Sequence, residues 1–511
     1  MNRRDFLRMA GALAAGAALS ACGPTAPQVI TQIVRETVEV TKIIPATPIV
    51  ETKIVPATPA VTKVVETKVV EQTKIVEVTR VVQPAVKVTG TFWVLQKKDF
   101  FPDMNDWFRN EVLKFCKEKG WPVDISYEAG YTGGTPFLEK LAAAAAAGTP
   151  ADVLMHSEGI TELRRLLVID PVTDLVEKTV AQWADPSARQ KFDFMTEGQW
   201  FAVPYFQRSD GGWFQRPVFE AAKIDIHKVR KYTDLWETCL QVSNPDKQLY
   251  GWGVTINRCG DGDWFRNRVQ HGWGAYIQDK TGQFVTINTP EMVEAMTVMT
   301  ELYLKDKWKK MLPPGVLAWT DPSNNEAYLA GKLAYTQNGG TVYGKAILDK
   351  NPIAPITGFH APCGGPVNLE FNSLSANNWM LLKGAKNQEA ARELALHFLL
   401  PLGSQDAIFS NAPGFALPAY AKLWKESKYI PTNKVALEQE KVATDPNGWI
   451  VPGTYPGPAI NPAMAAASTA GIQNDMVADI LRGTPVKDAV KTCHERYVKV
   501  FKEFKLPGEK T

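Results

Sequence analysis

Downstream of residue 87, apolar residues fall into short runs and helical stripes in alternation. Val88 to Leu95 predicts a first strand. Asp106 to Lys119 carries Trp107, Phe108, Val112, Leu113, Phe115 and Cys116 on one helix face. Val123 to Tyr127 predicts a second strand, and Phe137 to Ala147 an Ala-rich helix stopped by Gly148 and Pro150. Ala151 to His156 predicts a third strand. Strand, helix, strand, helix, strand implies a parallel sheet with helices on its faces, and ligands of such sheets gather at the carboxyl ends of the strands. About 420 residues follow the change of pattern, which suits two lobes of ordinary size.

Upstream the pattern differs. Met9 to Leu19 is an apolar run, rich in Ala and Gly and too short to span a bilayer. Arg3, Arg4, Asp5, Phe6, Leu7 and Arg8 precede it, and Leu19-Ser20-Ala21-Cys22 closes it. This layout resembles a twin-arginine export signal with a lipoprotein cleavage site, residues 1–21 being removed and Cys22 carrying a lipid. The resemblance implies work outside the cytoplasmic membrane, in a periplasm or at the cell surface. Residues 22–87 are almost wholly Val, Ile, Thr, Lys, Glu, Pro and Ala with no aromatic residue, in imperfect repeats such as Val40 to Pro48 and Glu51 to Pro59. Lacking large side chains, and interrupted by Pro45, Pro48, Pro56 and Pro59, the segment predicts an extended stalk. Its Val and Thr content leaves a β-strand array open as the alternative.

The formal net charge of +3 falls to about +1 without residues 1–21. A near-neutral protein has no field for gripping nucleic acid. Beyond Cys22, the cysteines 116, 239, 259, 363 and 493 form no CxxC pair, so neither a zinc site nor an iron–sulfur cluster is indicated. A Cys239–Cys259 disulfide stays open. The six histidines are scattered, and there is no HExxH, GxSxG or Walker motif. Gly260-Asp-Gly-Asp263 lacks the ligand ladder and closing Glu of a calcium loop and is read as a polar turn. No metal or cofactor is expected.

The positive chemical signal is aromatic. Trp264, Trp273, Tyr276, Tyr343 and Trp379 stand beside Asn, Asp, His or Gly in loop-like stretches. Sugar faces pack on aromatic rings while Asn, Asp, Arg and Lys bond the hydroxyls. Burial in a core is the competing account of each ring.

A family pattern runs through the same region. Ala146 to Val153, Leu167 to Leu175, Glu197 to Tyr205, Trp213 to Ile224, Tyr328 to Tyr335 with Asn338-Gly-Gly, Lys383 to Leu399 and Gly483 to Val490 occur in the order of one family's motifs. The chain resembles the bacterial extracellular solute-binding proteins of family 1, carbohydrate-binding lipoproteins that feed ABC importers. The resemblance implies an α/β, two-lobe periplasmic-binding-protein-like fold of type II, with parallel-rich sheets flanked by helices and joined by a hinge. It implies one lobe from 88–206 and 360–408 and the other from 207–359 and 409–511, with crossing strands near 204–208 and 357–361. It places ligand-binding residues at Gln96, Lys97 and Asp99, at His156, Ser157 and Glu158, and at Gln207 and Arg208. In the second lobe it places Trp264, Trp273, Asn338, Gly339 and Tyr343, with Asn461 in a late loop. The sequence departs from the family at Tyr343, where Trp is frequent, and at Gln215-Arg216, where Asn-Lys is usual. Lys97, Glu158 and Arg208 bring more charge than a neutral sugar needs, so an acidic sugar or another polar solute is open.

The function implied is capture of a saccharide, an oligosaccharide in particular, by a monomer that makes and breaks no bond. The partners implied are ABC permease subunits and, through the lipid, the membrane. A secreted enzyme acting on glycans and a ligand-binding sensor are the alternatives.

Overall fold

β1 (Phe92–Lys98) forms where aromatic and β-branched residues run together, and it buries Phe92, Val94 and Leu95. Pro102 lies in the first turn of α1 (Pro102–Lys119), where its missing N–H costs nothing, and Gly120 ends the helix in the left-handed conformation at φ 70°. The helix thus begins four residues before Asp106, and Leu113, expected on its inner face, is exposed. β2 (Val123–Ala129), α2 (Thr135–Ala146) and β3 (Val153–His156) follow, and β1 pairs in parallel with both β2 and β3. The expected strand–helix alternation is present in this stretch.

The computed structural model describes residues 49–50, 69–70, 85–129, 135–156, 163, 168–369, 371–372, 374–445, 449–450, 454–458 and 461–510. Residues 1–85 form one unit and Val86–Thr511 another. In the first, Ile49–Val50 pairs antiparallel with Val69–Val70. Cys22 lies outside the described residues.

In the second unit α3 (Thr173–Trp183) and α4 (Ala188–Phe194) lead to β4 (Val203–Ser209). A single residue, Asp210, separates β4 from β5 (Gly211–Gln215). Next come α5 (Gly260–Gly272), α6 (Pro290–Leu304), β6 (Tyr335–Asn338), α7 (Thr341–Leu348) and β7 (Thr357–His360). β8 (Leu374–Leu381), α8 (Gln388–Leu399), β9 (Leu417–Pro418), α9 (Lys434–Ala443), α10 (Pro462–Thr469), α11 (Ile472–Leu481) and α12 (Val486–Glu503) complete it.

Two sheets organise these elements. The first is six-stranded in the order β9-β4-β8-β3-β1-β2. β1, β2, β3 and β4 point one way, while β8 and β9 run against them. The second sheet is three-stranded and antiparallel, β6-β5-β7. Gly212 of β5 has to be glycine, because a Cβ there would lie 1.8 Å from the Tyr335 hydroxyl.

Each sheet has its own core. Trp379 of β8 stacks on Phe108 of α1 at 5.5 Å and packs on Phe398 of α8. In the second core Trp252 stacks on Tyr335 of β6, with ring centroids 5.8 Å apart. A smaller third cluster holds Trp213, Tyr343, Phe359 and Val435. The chain after residue 408 divides between the two main cores. Apart from Val435 in the third cluster, the buried apolar residues from Phe409 to Ala443 join the first and those from Ala463 to Phe501 the second, whereas the expected boundary put 409–511 in one lobe. Cys363 likewise packs in the second core, although 360–408 was expected in the first lobe. Cys116, Cys239, Cys259, Cys363 and Cys493 are all free thiols. Among the described residues no helix is long and apolar enough to cross a membrane.

Candidate functional site

The carboxyl ends of β1, β3 and β4 are polar although they are buried. Gln96 lies opposite Met155 in the strand register, and His156 ends β3 opposite Asn378 of β8. Gln207 lies between Ala376 of β8 and Leu417 of β9. Gln96, Gln207 and His156 are each less than 5% exposed. Both amide atoms of Gln96, Oε1 of Gln207, Oγ of Ser209 and Oδ1 of Asn377 have no hydrogen-bond partner among the described residues. An unmade hydrogen bond at a buried polar group costs about 1–3 kcal/mol. Several of them lie together at the carboxyl end of the first sheet, the place where ligands of α/β sheets gather.

The loop after β1 is ordered by its own side chains. The Asp99 backbone N–H donates to Asn105 Oδ1 at 3.0 Å, and Asn105 Nδ2 returns a bond to the Asp99 carbonyl at 2.8 Å. Lys97 Nζ lies 3.4 Å from Asp99 Oδ2, both groups buried.

The chain passes between the two sheets at Asp210. Removal of water from its carboxyl raises its pKa, and the guanidiniums of Arg208, Arg268 and Arg189 pull the other way. Arg189 belongs to α4 of the first sheet's side, where Nε donates to Asp193 Oδ2 at 2.6 Å. Arg268 belongs to α5, beside the second sheet. The Arg208 guanidinium lies over the Phe415 ring at 5.4 Å, and that of Arg268 over the Trp264 ring at 5.3 Å. His271, one turn along α5 from Arg268, is buried, and its Nδ1 has no partner among the described residues. Burial chiefly, then Arg268 and Arg189, push its pKa down to about 3 and keep the ring neutral.

On the second lobe, Asn338 Nδ2 donates to Asp261 Oδ2 at 2.9 Å, and Asn338 Oδ1 accepts from Thr341 Oγ1 at 2.9 Å. Asp261 also accepts from Asn324 Nδ2 at 2.8 Å. Burial, with the charge of Asp321 next, lifts its carboxyl well above the usual range. A Cβ on Gly339 would meet Asp210 Oδ1 at 3.1 Å. The Gly260–Asp263 turn is the first turn of α5, with Asp321 accepting from the N–H groups of Gly260 and Asp261. No group of three or more metal-ligating side chains is gathered among the described residues.

The expected site residues therefore separate into groups. Gln96, Lys97, Asp99, His156, Gln207 and Arg208 lie at the carboxyl ends of first-sheet strands or just beyond them. Asn338 and Gly339 lie close to Asp210, and Trp264 lies under Arg268. Three others have their polar groups engaged within the fold. Tyr343 stacks on Trp213 at 5.7 Å and donates its hydroxyl to Asn433 Oδ1 at 3.1 Å. Trp273 is buried in the second core and donates to Glu294 at 3.3 Å. Asn461 caps α10 and donates to Gln278 Oε1 at 2.6 Å and the Gly282 carbonyl at 3.0 Å. Ser157 and Glu158 lie outside the described residues. Asp210, Arg189, Arg268, His271 and Asn377 were missed from the sequence. Asp210 had a signal, an acidic residue and two glycines between two strand-like runs. Arg189 on a short amphipathic helix had none.

The family model for bacterial extracellular solute-binding proteins matches residues 101–400, more than half of the sequence. The chain belongs to that family. No curated protein matches it in sequence. Among solved structures, this solute-binding protein is similar to maltose-bound MalE3 of T. maritima, at 19% identity and TM-score 0.66, over 81% of this chain and 99% of that one. It is also similar to a sugar transporter of Arthrobacter chlorophenolicus with bound laminaribiose, at 17% identity and TM-score 0.65, over 80% and 99%. A solute-binding protein of Agrobacterium radiobacter in complex with ribitol matches at 15% identity and TM-score 0.65, over 83% and 100%. These likenesses establish the two-lobe α/β fold.

Proposed function

We propose that the protein captures a carbohydrate, an oligosaccharide in particular, between its two lobes and delivers it unchanged to an ABC importer. The observation that carries the reading is the buried, unsatisfied polar edge of the first sheet, Gln96 with Gln207 and Asn377, where Gln207 stands three positions before the crossing at Asp210. Hydroxyl-rich ligands supply the donors and acceptors such an edge lacks. Family membership supports it, as do the maltose, laminaribiose and ribitol named for the similar structures. One lobe comprises residues 86–209 with 374–443, the other 211–364 with 461–508. Each touches half of the ligand, so binding favours the closed arrangement. Work outside the cytoplasm, export through the twin-arginine signal, lipid on Cys22, permease subunits as partners and a monomeric state complete the proposal.

The test is isothermal titration of the full chain with a panel of mono-, di- and trisaccharides, followed by chromatography of the recovered ligand. One-to-one binding and intact ligand are expected, with a melting temperature that rises with ligand concentration. Cleavage of any glycan, or no binding across the panel, overturns the reading.

A further inference from the structure

A cavity lies beside the second sheet, apart from the polar edge of the first. It is a groove of about 690 Å³ bounded by Tyr250, by Pro313 and Pro314, by Trp319 and by the helix Asp321–Leu329. That size is within the range of small-molecule sites. Spacing along the helix divides its faces. Asn324 and Tyr328, four apart, are buried. Asn324 Nδ2 donates to Asp261 Oδ2 at 2.8 Å, and the Tyr328 hydroxyl donates to Thr357 Oγ1 at 3.2 Å. Glu326, Ala327 and, just past the last turn, Ala330 line the groove instead. The groove is thus on a different face of the helix from the bonds that reach Asp261.

Two aromatic residues form its walls, and their backbones are fixed. The Tyr250 N–H donates to the Lys332 carbonyl at 2.8 Å, and the Tyr250 carbonyl accepts from the Ala334 N–H at 2.8 Å. The Trp319 carbonyl accepts from Thr255 Oγ1 at 2.8 Å and from Asn257 Nδ2 at 3.0 Å. Both side chains are half-buried, and neither the Tyr250 hydroxyl nor Trp319 Nε1 has a hydrogen-bond partner among the described residues. Trp213, Trp252 and Trp273, by contrast, donate to Asn338, Tyr303 and Glu294. Glu326 and Lys332 add one charge of each sign, with no ion-pair partner among the described residues, so the groove carries no net charge.

We propose that this groove is a second carbohydrate site, which takes a neutral glycan chain independently of the cleft. Sugar faces pack on the rings of Tyr250 and Trp319, and hydroxyls pair with their tips and with Glu326 and Lys332. Hydroxyls both donate and accept, which this mixture of groups requires. A proline-rich peptide would offer the same rings its carbonyls but few N–H donors, leaving Glu326 unmatched.

The experiment runs the full chain through native gels containing soluble starch, laminarin, galactomannan or xylan. At least one polysaccharide is expected to retard the wild type. Trp319→Ala is expected to weaken that apparent affinity by about tenfold, as for loss of a stacked ring. Ala330→Arg, at an exposed position, fills the groove with both rings in place and is expected to do the same. Titration with the oligosaccharides named above should be unchanged in both variants. Melting curves establish that they are folded, and Ala330→Arg carries the test if Trp319→Ala is not. No retardation by any polysaccharide, or equal retardation of the wild type and the folded variants, overturns the inference. Loss of oligosaccharide binding in the variants also overturns it, as does poly-L-proline bound tighter than any polysaccharide. Retardation that depends on Trp319, in a chain that binds no oligosaccharide, upholds the inference and removes the cleft reading.

Discussion

Gly340 gives a test of the packing between the lobes in which the sign of the result decides. It caps α7 at φ −65°, ψ 0°, a backbone conformation that alanine adopts without strain. In open space, Gly340→Ala would stabilise the protein by about 0.4–1 kcal/mol, because the unfolded chain loses freedom. The structure leaves no such space. A Cβ there would lie 2.0 Å from the Gly414 carbonyl oxygen and 2.5 Å from Phe415 Cα, both backbone atoms of the segment that carries the first core's β9. Backbone cannot swing aside as a flexible side-chain tip does. Overpacking of this kind costs about 1–3 kcal/mol. Gly340→Ala is therefore expected to lose about 1–2 kcal/mol net of the entropy term. Gly403→Ala is the control, since a Cβ at Gly403 meets nothing within 4 Å. Urea denaturation followed by tryptophan fluorescence measures both. If Gly340→Ala matches or exceeds the wild type, as Gly403→Ala should, α7 does not rest on the 414–415 backbone and the packing argument fails.

Glu438 joins α9 to the second sheet, accepting from Arg216 Nη2 at 2.7 and 2.8 Å and from the Phe359 N–H at 3.0 Å. Glu438→Ala is expected to cost about 2–3 kcal/mol, the pair being largely but not wholly buried. A melting curve equal to wild type would refute the link. Burial, opposed by the Val229 hydrogen bond, pushes the His360 pKa from 6.5 down to about 3, so the folded state refuses a proton that the unfolded state takes up. Stability from this group is complete above 6.5 and is lost as pH falls toward 3, by about 2 kcal/mol at pH 5. The wild type should weaken by that amount relative to His360→Gln between pH 7.5 and 5, and parallel profiles would contradict it. Burial drives the thiols of Cys116, Cys259 and Cys493 up to about 12 and those of Cys239 and Cys363 up as well. Brief iodoacetamide treatment should leave all five unmodified in the native protein and label them in urea, as mass spectrometry would show.

What the sequence revealed follows the range over which each signal acts. The strand at 92–98, the helix ended by Gly120 and the strand at 153–156 depend on local spacing and were legible. The family resemblance singled out Gln96, Lys97, His156 and Gln207, and the structure puts them at or near the carboxyl ends of strands, which is where ligands meet an α/β sheet. Tyr343, Trp273 and Asn461 carry the chemistry of a sugar site in residue type, yet their partners are Asn433, Glu294 and Gln278. Tyr343 and Asn461 find theirs 90 and 183 positions away, a range at which spacing carries no information. The division of residues 409–501 between two cores was hidden for the same reason. Apolar periodicity shows that a helix has a buried face and is silent about which sheet covers it. Arg189 and Arg268 come to act on the Asp210 carboxyl only through the fold.

The crossing at Asp210 has a consequence for binding. A residue two or three positions from a hinge is ordinarily a weak lever on lobe closure, because intervening chain absorbs the change. Here Gln207 and Arg208 belong to a strand that ends at Ser209, and Asp210 alone separates it from the next sheet. No loop lies between Gln207 and Arg208 and the crossing at Asp210. Under the proposed function, Gln207→Ala is therefore expected to lower saccharide affinity and the ligand-driven compaction in small-angle scattering together. Affinity lost with compaction unchanged would separate the binding strand from the crossing and dismiss the link.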